Sequence, residues 1–138
     1  MTTPARGPFE VTMNVQSSDD PGGVSALARM SLDKRFHGDL EATSKGEMLS
    51  AGSSVKGSAG YVAIERVSGS LHGRTGTFVL QHSGSMNRGQ PELTITVVPD
   101  SGTGELTGLA GRMSIQIVDK KHFYELEYTL VANEPMER

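Results

Sequence analysis

The sequence predicts an all-β protein: one domain that folds as a single closed, antiparallel, eight-stranded β-barrel with little or no helix. Several segments alternate apolar and polar residues, which is the period of a half-buried strand. A pattern G-x-L-x-G-x-x-G-x-Φ-x-Φ-Q, with Φ apolar, occurs at 69–81 and again at 104–116. The 138 residues include 17 glycines, which in a chain of alternating strands indicates turns and bulges.

The repeated pattern predicts one structural device used twice, namely a strand, a glycine-shaped connection and a second strand. Its glycines, at 69, 73 and 76 and again at 104, 108 and 111, suit positive φ or the close approach of two strands. A barrel needs such positions at its sharp bends. Because the device occurs twice, barrel geometry explains these glycines without a ligand.

The first three strands are predicted over 9–16, 30–36 and 40–48. Residues 9–16 alternate strictly, with Phe9 and its alternate neighbours apolar. In the second strand, Met30, Leu32 and Phe36 share a face. His37-Gly38 predicts a tight turn before an irregular third strand.

The next three strands are predicted over 61–67, 77–82 and 93–98. The fourth is apolar on both faces up to Glu65, so we expect its outer face to be covered by a loop or another subunit. Residues 83–91 predict a hairpin loop, and Pro99 ends the sixth strand.

The last two strands are predicted over 112–118 and 122–131, with a turn at 119–121 between them. Residues 1–8 predict a flexible lead, 9–131 the barrel domain and 132–138 a flexible tail. Eight strands joined by short turns form an antiparallel meander, which must close or protect its edges. Closure is therefore expected.

Composition excludes several classes of protein. The net charge is −3 with scattered Lys and Arg, so no nucleic-acid partner is expected. No apolar run reaches the length of a membrane span, so no membrane partner is expected. The N-terminus lacks an apolar signal region, and a cytoplasmic location is expected. The absence of cysteine excludes disulfides and thiol chemistry.

One set of polar residues is placed by strand phase on apolar faces. The repeat aligns His82 with Ile117, so His82 is expected among apolar neighbours. The candidate ligand-binding residues are Tyr61, Glu65, His82, His122, Tyr124 and Tyr128, and the candidate acid–base residues are His82 and Glu65. Alternatively, the histidines bond to backbone and the tyrosine hydroxyls lie at the rim. The direction of Glu65 stays open at this point.

Other chemistry lacks support. His37, His72, His82 and His122 have no metal-ligand spacing, so neither a metal nor a cofactor is expected. The run 101–104 resembles a phosphate loop, but no Lys-Ser/Thr and no helix pattern follow it.

Three blocks carry a family resemblance: GYVAIERVSGSLHGRTGTFVLQHSGSM (60–86), VVPDSGTGELTGLAG (97–111) and DKKHFYELEYTL (119–130). They resemble a bacterial domain-of-unknown-function family over about 9–131. That resemblance implies the barrel first described in allene oxide cyclase. Residues 102–111 are also similar to the matching stretch of allene oxide cyclases and dirigent proteins. This similarity to allene oxide cyclases and dirigent proteins implies a shared fold rather than a shared activity. No catalytic residue of a cyclase can be assigned to a position of this chain. Related barrels imply a homo-oligomer and an apolar cavity.

Three hypotheses for function follow. The first is a barrel that binds a small apolar or amphipathic molecule in its interior. The second is a cofactor-free isomerase or cyclase that uses the same cavity. The third is a structural or interaction protein whose barrel is filled by its own side chains, which the absence of a cavity larger than a few waters would favour.

Overall fold

The protein is described from a computed structural model, which defines residues 1–19 and 27–130. Its strands form one closed barrel in chain order, each antiparallel to the next. They are β1 (Thr3–Ser18), β2 (Leu27–Phe36), β3 (Leu40–Gly52), β4 (Ala59–Leu71), β5 (Arg74–Asn87), β6 (Gln90–Val97), β7 (Leu109–Val118) and β8 (Lys121–Leu130). A short 3₁₀ turn, Gly104–Leu106, precedes β7. The predicted fold class is confirmed.

The barrel closes where β1 pairs with β8, from Thr3 opposite Tyr128 to Phe9 opposite His122. Residues 3–8 are therefore strand, and the flexible lead predicted over 1–8 is corrected. Pro4, Gly7 and Pro8 hid the alternation in the sequence, although Ala5 is fully buried. Pairing with the edge of β8 places this segment in the sheet despite its weak strand propensity. The predicted tail, 132–138, lies outside the described residues.

Three hairpins turn through only two residues, at 72–73, 88–89 and 119–120. In each turn both residues have positive φ, as in Arg88 (51°) and Gly89 (89°), which is the type I′ conformation that matches strand twist. The hairpin loop predicted over 83–91 is thus corrected to a two-residue turn. The segment Ser83-Gly84-Ser85 shows no alternation of apolar and polar residues, so it was not recognised as strand. These residues lie where β5 extends beyond the packed core.

The repeated glycine pattern has one shared geometry and one difference. Gly73 and Gly108 both adopt left-handed φ, at 83° and 90°, and Leu71 and Leu106 are both fully buried. The first copy runs from strand to turn to strand as predicted. The second begins with the 3₁₀ turn instead of a strand, because residues 98–105 cross the end of the barrel beside β5, with Thr103 N–H bonded to Thr77 O at 2.8 Å.

The two ends of the barrel differ. The end that carries the turn at 72–73 and the 3₁₀ turn, here the closed end, is filled by an apolar core. The core comprises Ala5, Phe9, Phe36, Leu40, Ala42, Val67, Leu71, Phe78, Leu80, Ile95, Val97, Leu106, Leu109, Met113, Tyr124, Leu126 and Tyr128. The opposite end, which carries the turns at 88–89 and 119–120, is here the open end. Exposed apolar side chains such as Met86 and Leu93 line it.

Across residues 1–19 and 27–130, no helix has the length and apolar character needed to cross a membrane.

Candidate functional site

Four polar side chains are buried inside the barrel between the packed core and the open end. They are Lys34 on β2, Ser44 on β3, Glu65 on β4 and His82 on β5, with exposures of 8%, 3%, 0% and 3%. Strand alternation turns each of them inward. We refer to these four residues as the buried cluster.

Glu65 is the centre of the buried cluster. Its Oε2 lies 2.8 Å from Lys34 Nζ and 2.5 Å from His82 Nε2. Its Oε1 accepts a hydrogen bond from Ser44 Oγ at 2.5 Å. Both carboxylate oxygens are therefore satisfied by donors, as a buried charge requires.

The environment holds Glu65 ionised. Burial alone would raise the pKa of this carboxyl. The hydrogen bond from His82, the charge and hydrogen bond of Lys34, and the hydrogen bond from Ser44 together outweigh burial and lower the pKa to about 2. Glu65 is consequently an acceptor of hydrogen bonds at neutral pH rather than an acid.

Lys34 is held in place by aromatic rings as well as by the carboxylate. Its Nζ lies 5.2 Å from the centre of the Phe9 ring and 5.8 Å from that of Phe36. Both distances suit cation–π attraction. The ammonium thus has the carboxylate on one side and ring faces on others, which compensates for its removal from water.

His82 connects the buried cluster to Tyr61. Because an ionised carboxylate only accepts, Nε2 of His82 carries the proton that faces Glu65. In the neutral imidazole, Nδ1 is then an acceptor, and it lies 3.3 Å from the Tyr61 hydroxyl. Burial, then the charge of Glu65, raises the pKa of Tyr61, so its hydroxyl stays protonated as a donor. The order carboxylate, imidazole, hydroxyl orients each group by the one behind it.

A glycine makes room for Tyr61. A Cβ on Gly84 of β5 would lie 2.5 Å from Cε2 of the Tyr61 ring. Any larger residue at this position would displace the ring. The sequence run Ser83-Gly84-Ser85 therefore has a packing role beside the candidate site.

Tyr61 faces an apolar groove of about 340 Å³ at the open end. Most of its lining comes from inward-facing positions of β3 to β6. The lining residues are Met48, Ser50, Ala59, Gly60, Tyr61, Gly84, Ser85, Met86, Pro91, Glu92 and Leu93. The groove thus presents an almost wholly apolar surface, in which Tyr61 takes part while its hydroxyl is bonded to His82 of the buried cluster.

The structure brings together three of the six candidate residues, Tyr61, Glu65 and His82. The other three make their contacts elsewhere. The Tyr124 hydroxyl accepts from Leu40 N–H at 2.9 Å and donates to His37 O at 2.7 Å, so it fixes the turn between β2 and β3.

Tyr128 lies toward the closed end, where its hydroxyl is 2.6 Å from His72 Nδ1. The ring of His122 packs against Phe9, with the two ring centres 5.2 Å apart. All three residues are on β8, and alternation alone gives the face of a residue without giving its height along the barrel. The expectation that all six converge is corrected for these three.

Lys34 and Ser44 were missed as candidates, and the expectation of apolar surroundings for His82 is corrected. A signal for Lys34 was present, because it alternates with Leu32 and Phe36 and so lies on their face. Ser44 shares a face with Leu40 and Ala42 by the same argument. Within the described residues, no three histidine or acidic side chains are arranged to hold a metal ion.

Comparison with known proteins identifies the family. Residues 5–128 match the sequence profile of DUF3224, described as a protein of unknown function. This chain belongs to the DUF3224 family. The barrel also superimposes on the crystal structure of a DUF3224 protein of unknown function from Shewanella oneidensis MR-1, with 53% identity and a TM-score of 0.89. That match covers 94% of this chain and 98% of the other. None of the curated proteins matches the chain.

The bacterial family predicted from the three sequence blocks is thus confirmed. The site of this DUF3224 protein combines an apolar groove, a protonated phenol and an ionised carboxylate behind a histidine. Such an arrangement can orient a bound molecule through one hydrogen bond, and it can pass a proton between the groove and His82.

Proposed function

We propose that this DUF3224 protein binds a small apolar or amphipathic molecule in the groove at the open end of the barrel. The observation that carries the proposal is the groove itself, in which exposed Met86 and Leu93 line a concavity together with Tyr61. Large apolar side chains exposed in a concave surface mark binding sites. The volume of about 340 Å³ lies at the lower end of the range for small-molecule sites.

The Tyr61 hydroxyl is proposed to bond the polar group of the ligand. Because the charge of Glu65 helps to raise the pKa of Tyr61, the potential at this hydroxyl is negative. The single proton of this hydroxyl is directed at Nδ1 of His82, so its lone pairs are left for the ligand, and an uncharged donor such as an alcohol O–H or an amine N–H fits both those lone pairs and the potential. The proposed ligand therefore has an apolar body and an uncharged polar group.

The test is binding of the uncharged fluorescent probe N-phenyl-1-naphthylamine, which the absence of tryptophan makes easy to follow. Met86→Asp places a charge in the groove and is expected to weaken probe binding at least tenfold. The matched control is Val62→Asp, because Val62 is similarly exposed, at 51% against 44%, and lies on the outer face of β4. Equal losses in both variants, or no binding by the wild type, would contradict the proposal.

A filled barrel with only a structural or interaction role is the competing hypothesis. A groove of about 340 Å³ amounts to roughly ten water volumes, taking about 30 Å³ for each water. This groove is open to solvent rather than enclosed, and it supports binding over a filled barrel because the packed core stops short of the open end.

A second candidate function is proton transfer to the bound molecule, as in a cofactor-free isomerase. The chain from Glu65 through His82 to Tyr61 favours it, since Nδ1 of His82 is placed to take the Tyr61 proton while Glu65 holds the other ring nitrogen. In this proposal the Tyr61 proton moves to His82 Nδ1, and the phenolate takes a proton from the carbon beside the carbonyl to give an enolate. Tyr61 then returns a proton, or a deuteron exchanged from D₂O, to that carbon, and His82 returns its proton to Tyr61.

Deuterium exchange into a bound apolar ketone, 2-tetralone, tests this second function by NMR in D₂O. We expect wild type to accelerate exchange at least tenfold over Tyr61→Phe, while both bind the ketone with similar affinity. Equal exchange rates with intact binding would leave the groove as a binding site only.

A further inference from the structure

The barrel wall is weakly joined between β6 and β7. These strands pair only at Ile95 with Met113 and at Thr96 with Arg112. Every other neighbouring pair of strands is joined by at least the seven residue pairs that connect β1 and β8. Among the residues that the structure describes, 90–94 of β6 and 114–118 of β7 therefore have no strand partner on the sides that face each other. We call this unpaired region, 90–94 with 114–118, the seam.

The seam passes through the wall of the barrel. A cavity of about 240 Å³ lies over it, and its lining comes from both faces of the wall. Leu93, Ile95 and Met113 belong to the inner face, whereas Thr94, Arg112 and Ser114 belong to the outer face. Ile95 and Met113 are only 1% and 5% exposed, so the wall is closed at this pair, and the seam opens from Leu93, which is 43% exposed, toward the open end.

Local sequence keeps this part of β6 from pairing. Pro91 has no N–H to donate, which is why proline is found on edge strands. Residues 90–94 alternate between the two faces of the wall. Leu93 lies on the same face as Ile95, so its side chain turns inward, toward the groove. Leu93 lines both the seam cavity and the apolar groove, and it is therefore the side chain that lies between the two spaces.

We propose that the seam is a lateral opening of the ligand site, and that the ligand is a chain-like amphipathic molecule that extends from the groove past Leu93 into the seam. This inference rests on the proposed function of the groove. The apolar chain lies against Leu93, the exposed inward-facing side chain between the groove and the seam, and the end that leaves the wall meets the charged side chains of Arg112, Glu125 and Glu127. A compact ligand occupies the groove alone.

A reversible cross-link tests the inference. The chain has no cysteine, so Thr94→Cys with Ser114→Cys gives a single disulfide. Continued register from Ile95 opposite Met113 places these two outward-facing positions opposite each other, so that oxidation closes the seam without filling the groove. The matched control is Thr94→Cys with Ser83→Cys, because Ser83 is already paired with Thr94 between β5 and β6.

The readout is displacement of N-phenyl-1-naphthylamine by n-alkanols. In the reduced protein, affinity is expected to rise roughly fourfold for each buried methylene from 1-hexanol to 1-dodecanol. In the oxidised seam variant, affinity is expected to stop rising before the chain reaches twelve carbons. Affinity for dodecanol should fall at least tenfold, whereas affinity for hexanol should change less than twofold. The oxidised control is expected to match its reduced form.

If oxidation changes neither the affinity nor the association rate of dodecanol, the inference is overturned. Hexanol binding would in that case still support the groove as a binding site. If neither alkanol nor probe binds the reduced wild type, the proposed function itself fails. Leu93→Trp supplies a second arm that needs no disulfide. A larger side chain between the groove and the seam is expected to weaken dodecanol binding at least fivefold more than hexanol binding. Equal effects on the two alkanols count against the opening.

Discussion

Glu65→Gln is expected to destabilise the protein strongly, because it leaves the Lys34 ammonium buried without a carboxylate. The Lys34 side chain is 5% exposed and that of Glu65 is 0% exposed. Breaking a buried ion pair from one side costs about 3–5 kcal/mol. The pKa of Glu65, lowered from 4.5 to about 2, corresponds independently to about 3 kcal/mol at about 1.36 kcal/mol per pKa unit. Both routes predict a loss that is a large share of a typical domain's stability.

Urea denaturation at pH 7 measures this free energy of unfolding. The matched control is Glu47→Gln on β3, which breaks the exposed ion pair with Arg29 of β2 and is expected to cost less than about 1 kcal/mol. Lys34→Met combined with Glu65→Gln removes both charges and is expected to recover much of the loss, because the Met side chain packs against Phe9 and Phe36.

The loss of unfolding free energy caused by Glu65→Gln should also depend on pH in a defined direction. A carboxyl whose pKa is lower in the folded protein adds stability above its unfolded pKa of 4.5, and that stability disappears as pH falls through about 2. The difference between wild type and Glu65→Gln is therefore constant above about pH 5 and shrinks below it. A Glu65→Gln variant as stable as wild type at pH 7, or a difference that persists unchanged at pH 2, would refute the reasoning.

Three further outcomes are expected. Gly84→Ala displaces the Tyr61 ring and weakens probe binding severalfold in a fluorescence titration, with the fold unchanged by circular dichroism. Tyr124→Phe removes the hydroxyl that bonds Leu40 N–H and His37 O, and costs about 1–3 kcal/mol in urea denaturation. Ile64→Glu, on the exposed outer face of β4, lowers the mass in light scattering if the expected homo-oligomer uses that face; an unchanged oligomer excludes the face.

The sequence was sufficient for the fold because alternation and turn residues act locally. Residues 9–16 and 112–118 alternate clearly, and both lie in strands in the structure. Residues 3–8 were missed because their pairing is decided by β8, more than a hundred residues away, and not by their own propensity. The second copy of the repeat was misread for a related reason, since the shared leucine is buried in both copies but by different backbone conformations.

The sequence placed part of the site on a face of the sheet, but it did not give the position of any residue along the barrel axis. Period 2 placed His82 on an apolar face together with Tyr124 and Tyr128, but it left the direction of Glu65 open, and Lys34 was not recognised although it alternates with Leu32 and Phe36. Only the stagger between neighbouring strands decides which inward residues meet, and that stagger is fixed by turns and register. Ala63 stands opposite His82, so Glu65 and His82 meet diagonally on β4 and β5. A diagonal contact of this kind follows from register and from the length of both side chains.

The position of the buried cluster along the barrel links packing to the proposed function. Toward the closed end, Phe9, Phe36 and the core leave no room for a ligand, and Lys34 lies against those rings. Toward the open end, the apolar lining continues without being filled. The cluster thus lies at the boundary, where Glu65 is shielded enough to fix His82 and His82 reaches Tyr61, a residue that lines the groove. A barrel that served only as a scaffold would gain stability from apolar residues at these positions. Retaining two charges and a histidine there is instead suited to presenting one oriented hydroxyl to a bound molecule.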